Sequence, residues 1–438
     1  MEGEELTSAD PHSPALIVRG AFFRDRCVDV HVAEGRITHI GPHRSGDPPP
    51  GADRTIDARG LHLAPSLANG HTHAAMTLFR GWGDDLPLDV WLRERIWPAE
   101  ARMTADAVYH GTRLAIVEMI RSGTTHFNDM YWHAPAIARA AADLGVRAHI
   151  GAAFVDLGDD GIEARWWRAV EEWLEQRDTW GPRIRATVAP HAIYTVSTAN
   201  LGRLGRLAAR YDLPLHIHLS ETGREVADCV SVHGVRPAEL LDRLGLVTSR
   251  LVAAHGVHLD ATEFALLGRA GATVVTNPAA NLKLAVGGIF DYPAADRAGV
   301  RVILGTDGVA SNNNLDLFEE MKLVSLLQKH RAGDATTLPA ADAIELATAI
   351  PGDVFGLGTG RVEVGAPADF LLLDLSGAAT CPGHDVASDL VYAANGSVVH
   401  TTVCDGRVLM CDRVLEIANE DDILESARSA ARRLTTGA

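Results

Sequence analysis

The sequence predicts an α/β fold, a (β/α)8 barrel accompanied by a small β-sandwich domain built from both chain ends. Three observations carry that expectation. Eight short apolar runs rich in Val, Ile, Leu and Ala are separated for the most part by longer Ala/Leu/Arg/Glu-rich stretches of helical character. Parallel strands covered by helices on both faces read as near-continuous apolar runs of this kind. No G-x-G-x-x-G opens a helix after a strand, which argues against a doubly wound sheet. Finally, β-like runs occur before the first and after the last of the eight, and chain ends often meet. The combination is a TIM-like barrel with an appended sheet.

In chain order, residues 1–14 are polar and expected to be loose, without the basic start and apolar core of a secretory signal. Two β-like runs follow, Leu16–Phe23 and Val28–Gly41, the second containing Glu34-Gly35 as a hairpin signal. The barrel runs are Leu61–His73, Thr124–Met130, Arg147–Ala153, Arg185–His191, Leu213–Leu219, Leu251–Val257, Ala272–Asn277 and Arg301–Asp307. Helical stretches lie between them at Ala101–Arg121, Ala136–Leu144, Glu163–Gln176, Thr198–Tyr211, Pro237–Leu244 and Asp260–Ala270. After Gly365-Ala366-Pro367-Ala368-Asp369 the chain returns to β-like runs, Phe370–Leu373 and Val398–Leu409. The expected division is 1–63 for the first part of the sandwich, 64–360 for the barrel, and 361–438 for the second part and a terminal helix.

Composition narrows the function. The chain has 438 residues, 47% hydrophobic, with Lys+Arg 40 against Asp+Glu 57 and a formal net charge of −17. A surface this acidic disfavours nucleic acid and anionic membranes, leaving small molecules as the expected partners. The five cysteines never form a C-x-x-C pair, so neither a disulfide framework nor a zinc ribbon is expected. No uncharged apolar stretch reaches the ~18 residues of a membrane span. A soluble cytoplasmic protein is the expectation.

The chemistry lies at the C-terminal ends of the runs, the face where such barrels place their active sites. The first run ends His71-Thr72-His73; strand alternation turns positions i and i+2 to one face, so both imidazoles can meet one ion. The fifth run offers His216 and His218, and the eighth ends on Asp307. Three imidazoles and a carboxylate suit one divalent ion, zinc first, with iron(II) or manganese(II) as alternatives. Such an ion lowers the pKa of a bound water to about 7. His218 is preferred over His216 as the ligand because Glu221 follows three residues later, where a carboxylic acid can give a proton to substrate. The sixth run delivers His255, read either as an electrophilic aid at the attacked atom or as a satisfied core histidine. The fourth run ends Pro190-His191 and contains no lysine to bridge a second metal, which favours a single ion.

These residues stand in a set of motifs: His71-Thr72-His73, Asp84-Asp85, Trp97-Pro98-Ala99-Glu100, Ala189-Pro190-His191, His218-Leu219-Ser220-Glu221, Ala254-His255, Asn277-Pro278, Asn281 and Gly305-Thr306-Asp307. The set resembles the amidohydrolase superfamily, in the branch of methylthioadenosine/S-adenosylhomocysteine deaminases and triazine chlorohydrolases, from about Leu16 to about Leu415. The resemblance implies metal ligation by His71, His73, His218 and Asp307. It implies that Asp307 also carries a proton from water to the leaving amine, that Glu221 protonates the ring nitrogen, and that His255 assists. Glu100 would bind ribose hydroxyls, His191 would touch the substrate and Trp91 would wall the pocket. A homodimer or homotetramer is expected on the same ground.

Several positions depart from that pattern. Where relatives that take S-adenosylhomocysteine carry two arginines for its carboxylate, the matching positions are Ala152 and Glu163, with Arg165 and Arg168 nearby as substitutes if the loop shifts. Ile193 replaces a proline, Ala280 a serine, and Pro65-Ser66 a Pro-Gly. The expected activity is hydrolytic deamination of adenosine or a 5′-modified adenosine such as methylthioadenosine or 5′-deoxyadenosine, with S-adenosylhomocysteine disfavoured. The alternative is cleavage of an amide or other C–N bond in a non-nucleoside metabolite by the same metal site.

Overall fold

The computed structural model describes residues 15–46, 51–86 and 88–435; the segment 1–14 that was expected to be loose lies outside the described residues. The chain opens with five short strands: β1 (Leu16–Phe23), β2 (Arg26–Ala33), β3 (Arg36–Pro42), β4 (Arg54–Asp57) and β5 (His62–Pro65). The β2–β3 turn is Glu34-Gly35, with φ of 50° and 71°. Two successive positive φ angles give the primed turn whose twist matches that of a hairpin.

Eight parallel strands follow: β6 (Leu67–Thr72), β7 (Thr124–Tyr131), β8 (Arg147–Phe154), β9 (Ile184–Pro190), β10 (Leu215–Leu219), β11 (Leu251–His255), β12 (Thr273–Thr276) and β13 (Arg301–Leu304). Each pairs with the next in sequence order. The first and last meet just past β13, where the amides of Thr306 and Asp307 donate to the His71 carbonyl at 3.1 and 3.0 Å. Glycine makes this seam possible. A Cβ on Gly70 would lie 2.7 Å from Ile303 Cδ1, and one on Gly305 would lie 2.9 Å from the His71 amide nitrogen. The predicted barrel is therefore present.

Two predicted runs prove to be two elements each. Leu61–His73 breaks at Pro65-Ser66: β5 pairs with β14 (Phe370–Leu373) in the small sheet, and only Leu67 onward enters the barrel. Proline has no N–H to continue a ladder, and the Ser66 and Leu67 amides turn to different partners, the carbonyls of Asp369 and Gly123. Val398–Leu409 is a hairpin, β15 (Val399–Cys404) and β16 (Arg407–Cys411), turning at Asp405-Gly406 with φ of 53° and 76°. With β17 (Val414–Leu415), the chain ends form one mixed sheet ordered β17-β16-β15-β14-β5-β1-β2-β3, with β4 also on β1. Its halves share an apolar core that includes Leu16, Val18, Val30, Phe370, Leu372 and Val403. Arg147, at the start of β8, holds Asp369 through two 2.9 Å hydrogen bonds and Asp405 through one of 2.8 Å. The sheet is thus fastened to the strand-start end of the barrel, leaving the other end free for chemistry.

Side-chain caps start the helices around the barrel. Thr104, Asp159 and Ser197 accept amides at the heads of Ala105–Arg121, Asp160–Gln176 and Thr198–Tyr211. The helices Gly223–His233 and Leu317–Ala332 had no sequence expectation. In the second, the buried face includes Glu320, Ser325 and Gln328, which interrupt the apolar stripe that marks a helix. Among the described residues no helix is long and apolar enough to cross a membrane.

At the strand-start end, inside the barrel, His126 Nε2 and His149 Nδ1 lie 2.9 Å apart under Phe355. Burial holds both imidazoles neutral, lowering His149 to about 3 and His126 well below its usual value. Unfolded histidines protonate near 6.5, so this stabilisation is intact above about pH 6.5 and is lost as pH falls toward the folded values. Urea midpoints should therefore fall between pH 7 and pH 5, with a shallower fall in His149→Asn. Equal slopes in the two proteins would contradict this assignment.

Candidate active site

The C-terminal ends of β6, β10, β11 and β13 converge on one point. Ligand-capable atoms of His71, His73, His218 and Asp307 all lie within 4.8 Å of one another. His73 Nδ1 donates to the Met130 carbonyl at 2.6 Å and His218 Nδ1 to the His191 carbonyl at 2.8 Å. Each neutral ring therefore presents a bare Nε2, and these two nitrogens face each other at 3.2 Å. Asp307 Oδ1 is 3.3 Å from both His71 Nε2 and His73 Nε2. His71 Nε2 is buried without a hydrogen-bond partner.

Converging lone pairs repel one another unless a cation lies among them. Ligands at ~2.0–2.2 Å from one ion in tetrahedral directions lie roughly 3.3–3.6 Å from one another; three of the spacings here are 3.2, 3.3 and 3.3 Å, and all four donor atoms fall within 4.8 Å of one another. The donor set thus fits a single divalent metal ion. Burial favours neutral imidazoles, lowering His71 to about 4 and His218 well below its usual value. Burial alone would raise Asp307, but the close imidazoles of His71, His255 and His73 hold it well below the usual carboxylate range.

Surrounding groups fix these side chains. His71 Nδ1 is 2.9 Å from His216 Nε2, so the histidine set aside as a ligand supports one instead. Asp307 Oδ2 accepts Ser311 Oγ at 2.8 Å and its Oδ1 accepts the Gly308 amide at 2.8 Å. Asp129 accepts the Ala74 amide at 2.7 Å, tying down the turn after His73. Three residues at these strand ends hold left-handed backbone without being glycine: Ser220 (φ 51°), His255 (φ 73°) and Asp307 (φ 60°). Each such conformation costs of order 1–3 kcal/mol and persists where the surroundings over-determine it.

The proton-handling residues lie beside the cluster. His255 Nδ1 meets Asn281 Oδ1 at 2.9 Å, and its Nε2 is 3.9 Å from Glu221 Oε2. Burial raises the Glu221 carboxyl, opposed by His255 and reinforced by Asp307. His255 shifts the other way from its buried neighbours: burial lowers it, but the carboxylates of Glu221 and Asp307 outweigh that and raise it.

Glu100 is linked to His73 through Tyr131. The Tyr131 ring is 6.2 Å from the His73 ring, and the Tyr131 hydroxyl donates to Glu100 Oε1 at 2.7 Å. Burial lifts Glu100 to about 7 against the hydrogen bonds of Tyr131 and Trp132. His191 rests its ring 4.7 Å from that of His218 and meets Thr195 Oγ1 at 2.9 Å. Trp91 is 5% exposed and belongs to the main apolar core.

An amidohydrolase family model matches residues 63–409 of this chain. The chain belongs to the amidohydrolase family. It is 49% identical over 414 residues, 93% of this chain and 92% of the relative, to a 5′-deoxyadenosine deaminase of Methanoregula boonei. It is 45% identical over 385 residues, 87% of this chain and 86% of the relative, to a 5-methylthioadenosine/S-adenosylhomocysteine deaminase of Haloquadratum walsbyi. Among solved structures it superposes on an adenosine deaminase from Xanthomonas campestris with bound zinc at a TM-score of 0.88 and 39% identity, over 96% of this chain and 98% of that one. As an amidohydrolase, the chain is a hydrolase acting on C–N bonds.

Three contributors in this amidohydrolase, Tyr131, Ser311 and Tyr194, lay outside the sequence expectation, and Asn281 stood in it as a motif residue without a role. Tyr131 ends β7 one residue beyond the predicted run, so the strand-end rule would have found it had the run been drawn one residue longer. Asn281 and Ser311 sit on the short helices Pro278–Lys283 and Val309–Asn312, and their partners, His255 and Asp307, are visible only in three dimensions. Tyr194 is 53% exposed and sits edge-on to His191 at 6.1 Å. It faces the open mouth of the site.

Proposed function

We propose that this amidohydrolase deaminates an adenine nucleoside, with one divalent ion, zinc first, held by His71, His73, His218 and Asp307. The cluster accounts for hydrolysis; the observation that carries the substrate class is Glu100, a half-buried carboxyl pinned by Tyr131, whose ring lies 6.2 Å from that of His73. A carboxyl fixed at that place suits a vicinal diol, which offers it two hydroxyl donors.

When bound, the ion supplies Lewis acidity that makes water nucleophilic at neutral pH. The side chains do the rest. Glu221, whose carboxyl burial shifts toward the protonated form, gives a proton to the ring nitrogen next to the carbon under attack. Asp307, kept ionised, receives one proton of the attacking water and delivers it to the departing amine, and the second water proton returns to Glu221 as the carbonyl forms, so one water and one amine become a ring oxygen and ammonia. His255 Nε2 stands by Glu221 and Asp307, where it steadies the oxygen that adds. His191 and Trp91 complete the substrate-contacting set of this proposal.

The 5′ substituent in this reading is small and apolar. Ala152 is 5% exposed within β8 and offers no cation. Glu163 lines an outer groove of about 480 Å³ with Arg168 and Arg203. Arg165 lies over the Trp166 ring at 4.9 Å, and Trp166 stacks on Trp132 at 4.4 Å. Trp132 in turn packs over Met130, Ala153 and Ala189 at the barrel mouth. An indole surface next to Glu100 favours a methyl or methylthio group over a charged amino-acid tail. Cytoplasmic location and a homo-oligomeric state belong to the same proposal; the five described cysteines are all unpaired, as in a reducing compartment.

Ammonia release from a panel of adenosine, 5′-deoxyadenosine, methylthioadenosine and S-adenosylhomocysteine tests the reading. Release is expected from the first three and weakly from the last; none from any of them would turn the assignment to the amide alternative. Glu100→Ala and Tyr131→Phe should lower kcat/KM on nucleosides about 10- to 100-fold, on the scale of lost hydrogen bonds to a charged group, with much smaller loss on free adenine-type bases. Equal losses on both would remove the ribose role.

A further inference from the structure

The turn that carries Glu221 is held by a residue that plays no part in the mechanism above. Glu225 Oε1 accepts the Ser220 amide and Glu225 Oε2 the Glu221 amide, both at 2.8 Å. Ser220 is fully buried and left-handed at φ 51°, and Glu225 is itself buried. Two consecutive amides converging on one carboxylate form an anion nest. Because both oxygens accept, the carboxylate form is the one that fits.

The bland account is helix capping. Thr222 caps Gly223–His233 by accepting the Glu225 amide, and T-x-x-E is a capping-box sequence. In that motif the glutamate reaches back to the amide of the cap residue itself. Two other helices in this chain do so: Glu239 takes the Arg236 amide and Glu263 the Asp260 amide, each at 3.1 Å. Glu225 instead passes over Thr222 to the two amides before it.

The carbonyl side of the same turn is fixed separately. The His258 amide donates to the Ser220 carbonyl at 2.9 Å and the Gly256 amide to the Leu219 carbonyl at 3.0 Å. The strand end is thus gripped from the turn after β11 on one side and from Glu225 on the other. Losing Glu225 would strand two buried amides and release the left-handed residue immediately before Glu221.

We propose that Glu225 is a positioning residue whose carboxylate, by gripping the Ser220 and Glu221 amides, aims Glu221 at the substrate. The assignment rests on Glu221 as the proton donor. Glu225→Gln offers one acceptor and turns an NH2 group toward a backbone N–H. In the metal-loaded protein it should keep its metal and its KM within about twofold while kcat falls about 10- to 100-fold, the scale of a small misplacement of a catalytic group. Glu225→Asp, too short to reach both amides, should fall in the same direction and carries the test should the glutamine variant not fold. Thr222→Ala removes the cap alone, so it should lower the melting temperature while leaving kcat within twofold. A folded, metal-loaded Glu225→Gln with kcat within twofold of wild type, or a Thr222→Ala with the same kcat loss, would overturn the proposal. A crystal structure of Glu225→Gln reads the turn without any substrate: Ser220 should leave the left-handed region, and an unmoved turn would equally overturn it. If wild type deaminates no nucleoside, the proposed reaction fails, while that structural outcome still decides Glu225.

Discussion

Glu221→Gln should leave the bound metal unchanged and lower turnover by about 10²–10⁴-fold, the usual contribution of a placed general acid. The amide has nearly the shape of the acid but no transferable proton. Glu221 makes no contact with His71, His73 or Asp307 that the metal cluster needs; its neighbour is His255 Nε2 at 3.9 Å. Its backbone is held independently of its side chain, so the variant should fold and bind metal as wild type does. Metal analysis and ammonia release on one preparation check both halves. Loss of metal together with activity would mean that Glu221 belongs to the ligand set and not to proton transfer.

Asp307→Asn should also cost about 10²–10⁴-fold in kcat, with weaker metal binding besides. One side chain is asked to do two things. Its Oδ1 faces His71 and His73 at 3.3 Å, and its Oδ2 accepts Ser311 Oγ at 2.8 Å. An amide can retain the oxygen that faces the histidines but has no negative charge to receive a proton from water. Restoring full metal content by adding excess zinc should therefore fail to restore turnover. Full rescue by zinc would show that Asp307 is a ligand only. Combined with Glu221→Gln, the loss should be far from additive, since the two residues move protons in one reaction.

The barrel was legible because doubly covered strands leave long apolar runs, and the metal cluster because each ligand sits where a run ends. His71 and His73 share a strand face by alternation, and His218 and Asp307 could be added from the ends of the fifth and eighth runs. The limits of that reading are equally local. Pro65-Ser66 hid a change of sheet inside one apolar run, and Asp405-Gly406 hid a tight turn inside another. His216 could be set aside as a ligand because Glu221 follows His218, but its contact with His71 spans 145 residues and no spacing rule reaches that far. The T-x-x-E pattern at Thr222–Glu225 announces a helix start; that the carboxylate overshoots the cap to reach the Glu221 turn depends on how β10 ends.

The central claim is that four converging side chains exist to hold one divalent ion. Elemental analysis of protein purified without chelator tests it most directly, comparing wild type with His218→Ala. One equivalent of zinc, iron or manganese per wild-type chain is expected, with most of it gone from the variant. Wild-type protein that carries no transition metal, takes up none, and still releases ammonia would contradict the account.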